Sequence, residues 1–390
     1  MHVLILPSWY STPDLPWSGT FFTDQAVALA RAGARVGVVF VEQRSLRRLS
    51  PWRLRESHFQ VACSAERGVT TLRMKGWNTL GQTVAGAKVW CALSERLVEA
   101  YVHRFGTPDV LHAQSALWAG RVAVRMGRTL LRPCVVTEHQ SRMLLGALGA
   151  RERQEAVYVY READAVLAVS HTLLAAVGSI AGARIGLVVP NAVDFDFFTM
   201  PKVPRRREPF TFLGVGNLVR GKRFDRLIRA FGRVSRTSPG VRLVIVGAGV
   251  EGGNLRRLAQ ECGVAPQVEF TGALSREGVR ERMWSANTLV LSSAFETFGV
   301  VLVEALATGI PVVATRCGGP EDVVEVGLGL LVDRDDEENL VEAMVIMTGQ
   351  SYSECVLRDR VRSRFSFETV AQQLFDVYAK LVGSKAGAAL

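Results

Sequence analysis

Two glutamates eight residues apart, Glu296 and Glu304, stand in the otherwise mostly apolar run AFETFGVVLVEALATGIPVVAT, residues 294–315. Burying an unpaired carboxylate costs several kcal/mol or forces it to neutralise, so such a pair asks for a partner or a ligand. The run reads as the loop after a strand TLVLSS, a helix from near Phe298 to Gly309, and a following strand PVVAT. Glu296 then lies at the carboxyl end of a strand and Glu304 about two turns into the helix, and both can reach one crevice. Between them, the free amides of Phe298, Gly299 and Val300 at the helix start form an anion site. Carboxylates accept hydrogen bonds from vicinal hydroxyls and a helix N-terminus holds phosphate. The pattern suits a ligand that carries both, although one capping glutamate and one ion-paired helical glutamate would look the same locally.

Two further patterns offer competing chemistry. Gly247, Gly249 and Gly252 form G-x-G-x-x-G after the strand VRLVIVG, the fingerprint of a dinucleotide site, and Glu269 would have to be its acidic partner. That residue sits inside VEF rather than at a strand end, which weakens an NAD-dependent oxidoreductase reading. Asp333 and Asp335 in DRD match a metal-carrying D-x-D, but they lead into DEENLVEAMVIM, where acids in the first turn cap a helix and complement its dipole. His112, at the end of DVLHA, reads as a buried hydrogen-bonded histidine. The six cysteines are scattered, without C-x-x-C or clustering with histidines, so neither a zinc site nor a disulfide framework is indicated, and a reducing cytoplasm fits.

The elements that must position these residues alternate along all 390 residues. Strands are expected at 2–7, 35–41, 109–113, 134–138, 165–170 and 186–190, with periodic helical segments between them. After PNAVDFDFFTMPKVPRRREPF (190–210), whose prolines and arginines have the composition of a connection, the alternation restarts with FTFLGVGN, VRLVIVG, VEFTG, TLVLSS, PVVAT and GLLVD. Short all-apolar strands belong to parallel sheets covered on both faces. The fold class is therefore α/β, with two Rossmann-like doubly wound domains facing one another across a cleft. Their expected bounds are 1–195 and 206–370, with a C-terminal helix at about 371–390 packing back on the first. No apolar run is long enough for a membrane span, and the N-terminus lacks a signal-peptide pattern.

Taken together, ETFGVVLVEALATGIPVVAT, LPSWYSTPDLPWSGTFFTDQA, PDVLHAQ, VVTEHQS, ADAVLAVS, VVPNAVD, GNLVRGKRFDRLIRAF, VIVGAG and VEFTGALS resemble, in order and spacing, the retaining glycosyltransferases of family 4, which have the GT-B fold. The resemblance covers nearly the whole chain and implies a hexose-type transfer from a nucleoside-diphosphate sugar, UDP- or GDP-linked, with no metal or other cofactor. It implies that Glu304 binds the ribose hydroxyls and that Glu296 faces the transferred sugar and acceptor. The amides of Phe298, Gly299 and Val300 would meet the sugar and diphosphate. Lys222 matches the lysine that neutralises the diphosphate; Asn217 stands where the family has an arginine, so Arg220 or Arg223 would have to compensate. Gly19 matches a glycine that lets the backbone approach phosphate or acceptor, and His139 matches the active-site histidine. Gln114 stands where a second histidine is frequent. VIVGAG recurs in the family, which removes most of the dinucleotide reading.

A formal net charge of +10 favours an anionic partner: nucleic acid, a phosphorylated substrate or an anionic membrane surface. The resemblance selects a nucleotide sugar and a glycan, lipid-linked or small-molecule acceptor, and no nucleic acid. The Arg- and Leu-rich segment Arg44 to Phe59 suits peripheral contact of a cytoplasmic protein with an anionic membrane. The expected setting is cell-surface polysaccharide or glycolipid synthesis. Alternatives are natural-product glycosylation, the oxidoreductase, and a binding protein of the same fold without turnover.

Overall fold

Runs of Val, Leu, Ile and Ala without polar alternation can be buried on both faces only by helices above and below a sheet. The chain folds in this way in a computed structural model, which describes residues 1–12, 15, 17–45, 59–78, 80–81, 83–182, 186–206 and 208–388. Two compact units emerge: residues 1–192 with 367–390, and residues 193–366.

The first unit holds β1 (His2–Pro7), β2 (Arg35–Ser45), β3 (Val61–Glu66), β4 (Val69–Asn78), β5 (Val110–Gln114), β6 (Cys134–Glu138), β7 (Ala165–Ala168) and β8 (Leu187–Val188). Their order is β3-β4-β2-β1-β5-β6-β7-β8. Every pairing is parallel except β3 with β4. That hairpin was not expected, for two physical reasons. Every side chain of β3 is exposed, so no apolar alternation marks it. Its turn is also carried by Arg67 and Gly68, both at positive φ, rather than by an Asn-Gly or Asp-Gly pair. The helix Phe367–Ala388 buries Val370, Leu374 and Tyr378 in the same core as Phe22, Ala26 and Leu29 of the helix Thr20–Arg31.

The second unit holds β9 (Thr211–Val215), β10 (Arg242–Val246), β11 (Val268–Gly272), β12 (Thr288–Leu291), β13 (Val312–Arg316) and β14 (Gly329–Asp333), all parallel, in the order β11-β10-β9-β12-β13-β14. Counted within the unit this is 3-2-1-4-5-6, the Rossmann order. Leu227, Phe231 and Val234 of the helix Phe224–Thr237 pack with Leu340, Met344 and Met347 of the helix Glu337–Gly349 in one core.

The expected connection is firmly anchored. Arg358 donates to the carbonyls of Phe195 at 2.6 Å and Phe198 at 2.5 Å. Arg205 pairs with Glu354 at 2.6 Å and donates to the carbonyl of Thr308 at 2.9 Å. Three carbonyls and a carboxylate thus bind residues 195–205 to the rest of the second unit, a role that prolines and arginines do not announce. Of the basic segment Arg44 to Phe59, residues 46–58 lie outside the described residues. Arg44 itself is a buried residue of β2, paired with Glu42 at 3.7 Å and over the Trp77 ring, so it offers no surface charge. No described helix is long and apolar enough to cross a membrane.

Candidate active site

In the second sheet the strand order reverses between β9 and β12, and loops leaving adjacent strands in opposite directions open a crevice at their carboxyl ends. One side-chain hydroxyl and one amide join those loops. Ser292 Oγ donates to the carbonyls of Lys222 at 3.1 Å and Arg223 at 3.0 Å, and the Ala294 amide donates to the Gly221 carbonyl at 2.9 Å. The 3-10 turn Arg220–Lys222 is held by these bonds, and the Lys222 ammonium meets the Glu296 carboxylate across 74 residues of sequence. Ser293 Oγ donates to the same Glu296 oxygen at 2.8 Å. Backbone bonds clamp Glu296 on both sides: its amide donates to Cys317 at 3.1 Å and its carbonyl accepts from Gly319 at 2.8 Å.

The helix after this loop is Val300–Ala307, two residues shorter at its start than the spacing predicts, because Gly299 is the N-cap and supplies no capping side chain. The first-turn amides are therefore not met by a capping side chain. Glu304 is the fifth helical residue, one turn from the start rather than two, and is half-buried. Phe298 is buried with its ring edge-on to Phe365 at 5.5 Å, so its backbone is what it can offer a ligand.

Asn217 is exposed at the carboxyl end of β9. Of the two arginines that could replace a missing cation there, Arg223 is bound to Asp225 at 3.0 and 3.2 Å, while Arg220 is exposed and has no ion-pair partner among the described residues. Arg220 is the available one.

His139 and Gly19 belong to the first unit. Gly19 caps the helix Thr20–Arg31 in the left-handed conformation, at φ 69°, where a β-carbon would come within 3.1 Å of Phe22 and 3.2 Å of the Trp9 carbonyl. Phe22 in turn packs edge-on to the His139 ring at 4.8 Å, and Phe21 stacks on it at 5.3 Å. His139 Nε2 lies 2.7 Å from Gln114 Oε1. Burial, with a smaller contribution from His112, holds the imidazole well below its ordinary pKa, so it is neutral at pH 7. His112 is fully buried, with Nδ1 at 2.6 Å from the Tyr378 hydroxyl and Nε2 at 2.7 Å from Thr137 Oγ1.

Glu138 organises this end of the sheet and went unnoticed in the sequence, although a charge ending the apolar strand CVVTE was a signal. It is fully buried and accepts from the amides of His139 and Gln140, each at 2.8 Å, from Ala116 at 3.0 Å and from the Tyr160 hydroxyl at 2.7 Å. The adjoining loop is strained: Ser115 and Trp118 have φ of 79° and 70° without being glycine. Such conformations cost on the order of 1–3 kcal/mol each and persist where surrounding bonds enforce them. Here the Ala116 amide on Glu138 and Ser8 Oγ on the Leu117 carbonyl at 2.8 Å do so.

Residues 18–197 match the Glycosyltransferase Family 4 domain, and residues 196–348 match Glycosyl transferases group 1. The chain belongs to the group 1 glycosyltransferases. This glycosyltransferase is 32% identical over 174 residues to the lipopolysaccharide core biosynthesis glycosyltransferase LpsE of Rhizobium meliloti, a match covering 44% of this chain and 49% of the relative. The matched part thus spans about half the length of that curated relative. Among solved structures it resembles sucrose-phosphate synthase of Thermosynechococcus elongatus (TM-score 0.76, 20% identity, 98% and 100% of the two chains). It also resembles HepE of Anabaena in complex with UDP (TM-score 0.71, 20% identity, 98% and 100%). The fold is GT-B.

In this glycosyltransferase the glycine fingerprint has a packing cause. Gly247, at φ 144°, passes so close to the loop after β9 that a β-carbon would lie 1.9 Å from the Gly216 carbonyl oxygen, and one on Gly249 would lie 2.3 Å from that of Leu218. Its supposed acidic partner, Glu269, is on β11 and is paired with Arg282 at 2.7 Å. Neither observation favours a dinucleotide. Gly247→Ala is expected to destabilise the protein by roughly 3 kcal/mol, since backbone must move, as denaturant unfolding would register. The DRD acids are likewise structural. Asp333 faces Arg316 at 3.8 Å and Asp335 faces Arg334 at 3.1 Å, while the helix cap is the next residue, Asp336, accepting from the Asn339 amide at 3.0 Å. No group of three potential metal ligands occurs among the described residues.

Proposed function

We propose that the protein transfers a hexose-type sugar from a nucleoside-diphosphate sugar, with retention of configuration, to a glycan, lipid-linked or small-molecule acceptor in cell-surface polysaccharide or glycolipid synthesis. The observation that carries this reading is the Lys222–Glu296 pair at the switch point of a Rossmann-ordered sheet, beside a helix whose start has no capping side chain. In this reading a departing nucleoside diphosphate gains charge as the sugar becomes oxocarbenium-like. Lys222, Arg220 and the amides of Phe298, Gly299 and Val300 meet that charge with fixed donors, usually the largest catalytic contribution. Asn217, at the end of β9, lines the phosphate side. Glu304 accepts from the ribose hydroxyls, and Glu296 faces the transferred sugar. Gly19 and His139 serve the sugar and acceptor. A leaving phosphate oxygen takes the acceptor's proton in a front-face attack, and the reaction proceeds without a metal. The UDP in HepE and the lipopolysaccharide role named for LpsE support a uridine nucleotide and a surface glycan.

Calorimetric titration in chelator with UDP-, GDP- and ADP-sugars and with NAD tests the donor class. Binding of one nucleotide sugar is expected; binding of NAD alone would refute the proposal. Glu304→Ala is expected to weaken that nucleotide's binding by about 10- to 100-fold, the loss of one or two charge-assisted hydrogen bonds. The fold should persist in this variant because the residue is only half-buried.

A further inference from the structure

The helix Val300–Ala307, whose start carries the amides assigned above to the leaving diphosphate, cannot hold its own place. Its eight residues, VVLVEALA, are too few and too rich in β-branched valine to stay helical alone. Neither end carries its own complement: a glycine caps the start, and no basic residue lies in the last turn. The carbonyl end is bound from outside. Amides of Thr308, Gly309 and Ile310 serve the carbonyls of Glu304, Ala305 and Leu306. The last helical carbonyl, that of Ala307, takes Nη1 of Arg358, and Arg205 serves those of Thr308 at 2.9 Å and Gly309 at 3.4 Å. Arg358 belongs to the helix Glu354–Phe365, which runs antiparallel beside the first: Glu354 lies against Gly309, Arg358 against Ala307 and Phe365 against Phe298. The ring contact at the start is apolar and non-directional, so it tolerates sliding; the guanidinium bonds at the other end are directional and do not. The same guanidinium reaches the carbonyls of Phe195 and Phe198, so one planar fork spans three carbonyls, which a single ammonium would not.

We propose that Arg358 is a positioning residue for the transfer. By fixing the carbonyl end of the helix Val300–Ala307, it fixes the axial position from which the amides of Phe298, Gly299 and Val300, about 10 Å away, meet the leaving diphosphate. The proposal rests on the sugar-transfer reading and adds to it a residue at the far end of the helix from the chemistry. A displacement of about 1 Å at the reacting groups costs on the order of 100-fold in rate. Charge on the diphosphate is complete only as it departs, so the loss falls on kcat more than on KM.

The full chain is titrated with UDP-, GDP- and ADP-glucose, and hydrolysis of the one it binds is followed in the wild type, Arg358→Ala, Arg358→Lys and Arg360→Ala, with urea unfolding measured on each. Arg358→Ala is expected to lower kcat about 10- to 100-fold while KM changes less than about 3-fold, and to weaken binding of the matching nucleoside diphosphate about 10-fold. Where hydrolysis is too slow to follow, the diphosphate affinity decides. Arg358→Lys keeps the charge but offers one nitrogen to three carbonyls, so it is expected to change both quantities in the same direction; it decides the question if the alanine variant does not fold. Arg360, on the same helix, donates to the Val326 carbonyl at 2.6 Å and to Glu325 at 2.7 Å and makes no bond to the helix Val300–Ala307. Arg360→Ala is expected to leave kcat and diphosphate affinity unchanged. Lost stability in the Arg358 variants with unchanged kcat and unchanged diphosphate affinity overturns the proposal, because it leaves the arginine a structural role alone. An equal loss in Arg360→Ala overturns it too. A wild-type protein that binds none of the three nucleotide sugars refutes the sugar-transfer reading and the proposal with it, whereas wild-type binding with unaltered variants refutes the proposal alone.

Discussion

Lys222→Ala is expected to lower turnover by about 10²- to 10³-fold, the range found when one fixed donor to developing charge is removed. The structure suggests why a neutral residue would not suffice there. Lys222 is salt-bridged to Glu296, whose side chain is only 13% exposed and whose other side-chain contact is Ser293 Oγ. Removing the ammonium takes away a cation and also leaves a half-buried carboxylate beside the diphosphate, so both effects oppose the departing anion. Glu296→Gln separates them. It frees Lys222, removes one negative charge and keeps the Ser293 bond, so nucleoside-diphosphate binding is expected to tighten while transfer slows. Steady-state kcat and KM for the two variants, with nucleotide affinity measured separately, check the pair. Unchanged turnover in Lys222→Ala would show that Arg220 and the helix amides carry the charge without it.

The contrast between what the chain announces and what it conceals follows from the range of the forces involved. Strands such as β1, β6 and β12 are legible because burial on both faces demands continuous apolar residues, a local property. The reversal of strand order at β9 and β12 was legible as a fold class, and it places Lys222 and Glu296 in adjacent loops. The pairing itself was not, because it joins residues 74 apart through Ser292 and Ala294, whose types are unremarkable. The start of the helix at Val300 was misplaced because a glycine N-cap carries no side-chain signature. The β3–β4 hairpin was missed because an exposed edge strand needs no apolar pattern. Glu138 escaped notice for a related reason. A buried carboxylate is recognised by its partners, and those of Glu138 include the Ala116 amide and the Tyr160 hydroxyl, each 22 residues away.

Lowering the pH from 7.5 to 5 is expected to destabilise the protein, with the loss centred in the first unit. His112 and His139 are both held neutral, because burial pushes His112 down to about 3 and His139 well below 6.5. The unfolded chain protonates the same rings near 6.5, so below that pH it binds more protons than the native state. The stability these neutral rings permit is complete above pH 6.5 and is lost progressively as the pH falls toward the folded values. At pH 5 the loss is about 2 kcal/mol for His112, from a gap of about 1.5 pH units at 1.36 kcal/mol per unit, and His139 adds to it in the same direction. Asp225, whose carboxylate is stabilised by Arg223 and Arg229 against its burial, contributes in a lower window, as the pH falls through a depressed carboxylate pKa. Between pH 6.5 and 5 the histidines therefore act nearly alone. Amide exchange at pH 5 should lose protection in β5 and β6 before β9 and β10, and urea unfolding should give the magnitude. Equal stability at the two pH values would show that the rings are protonated in place.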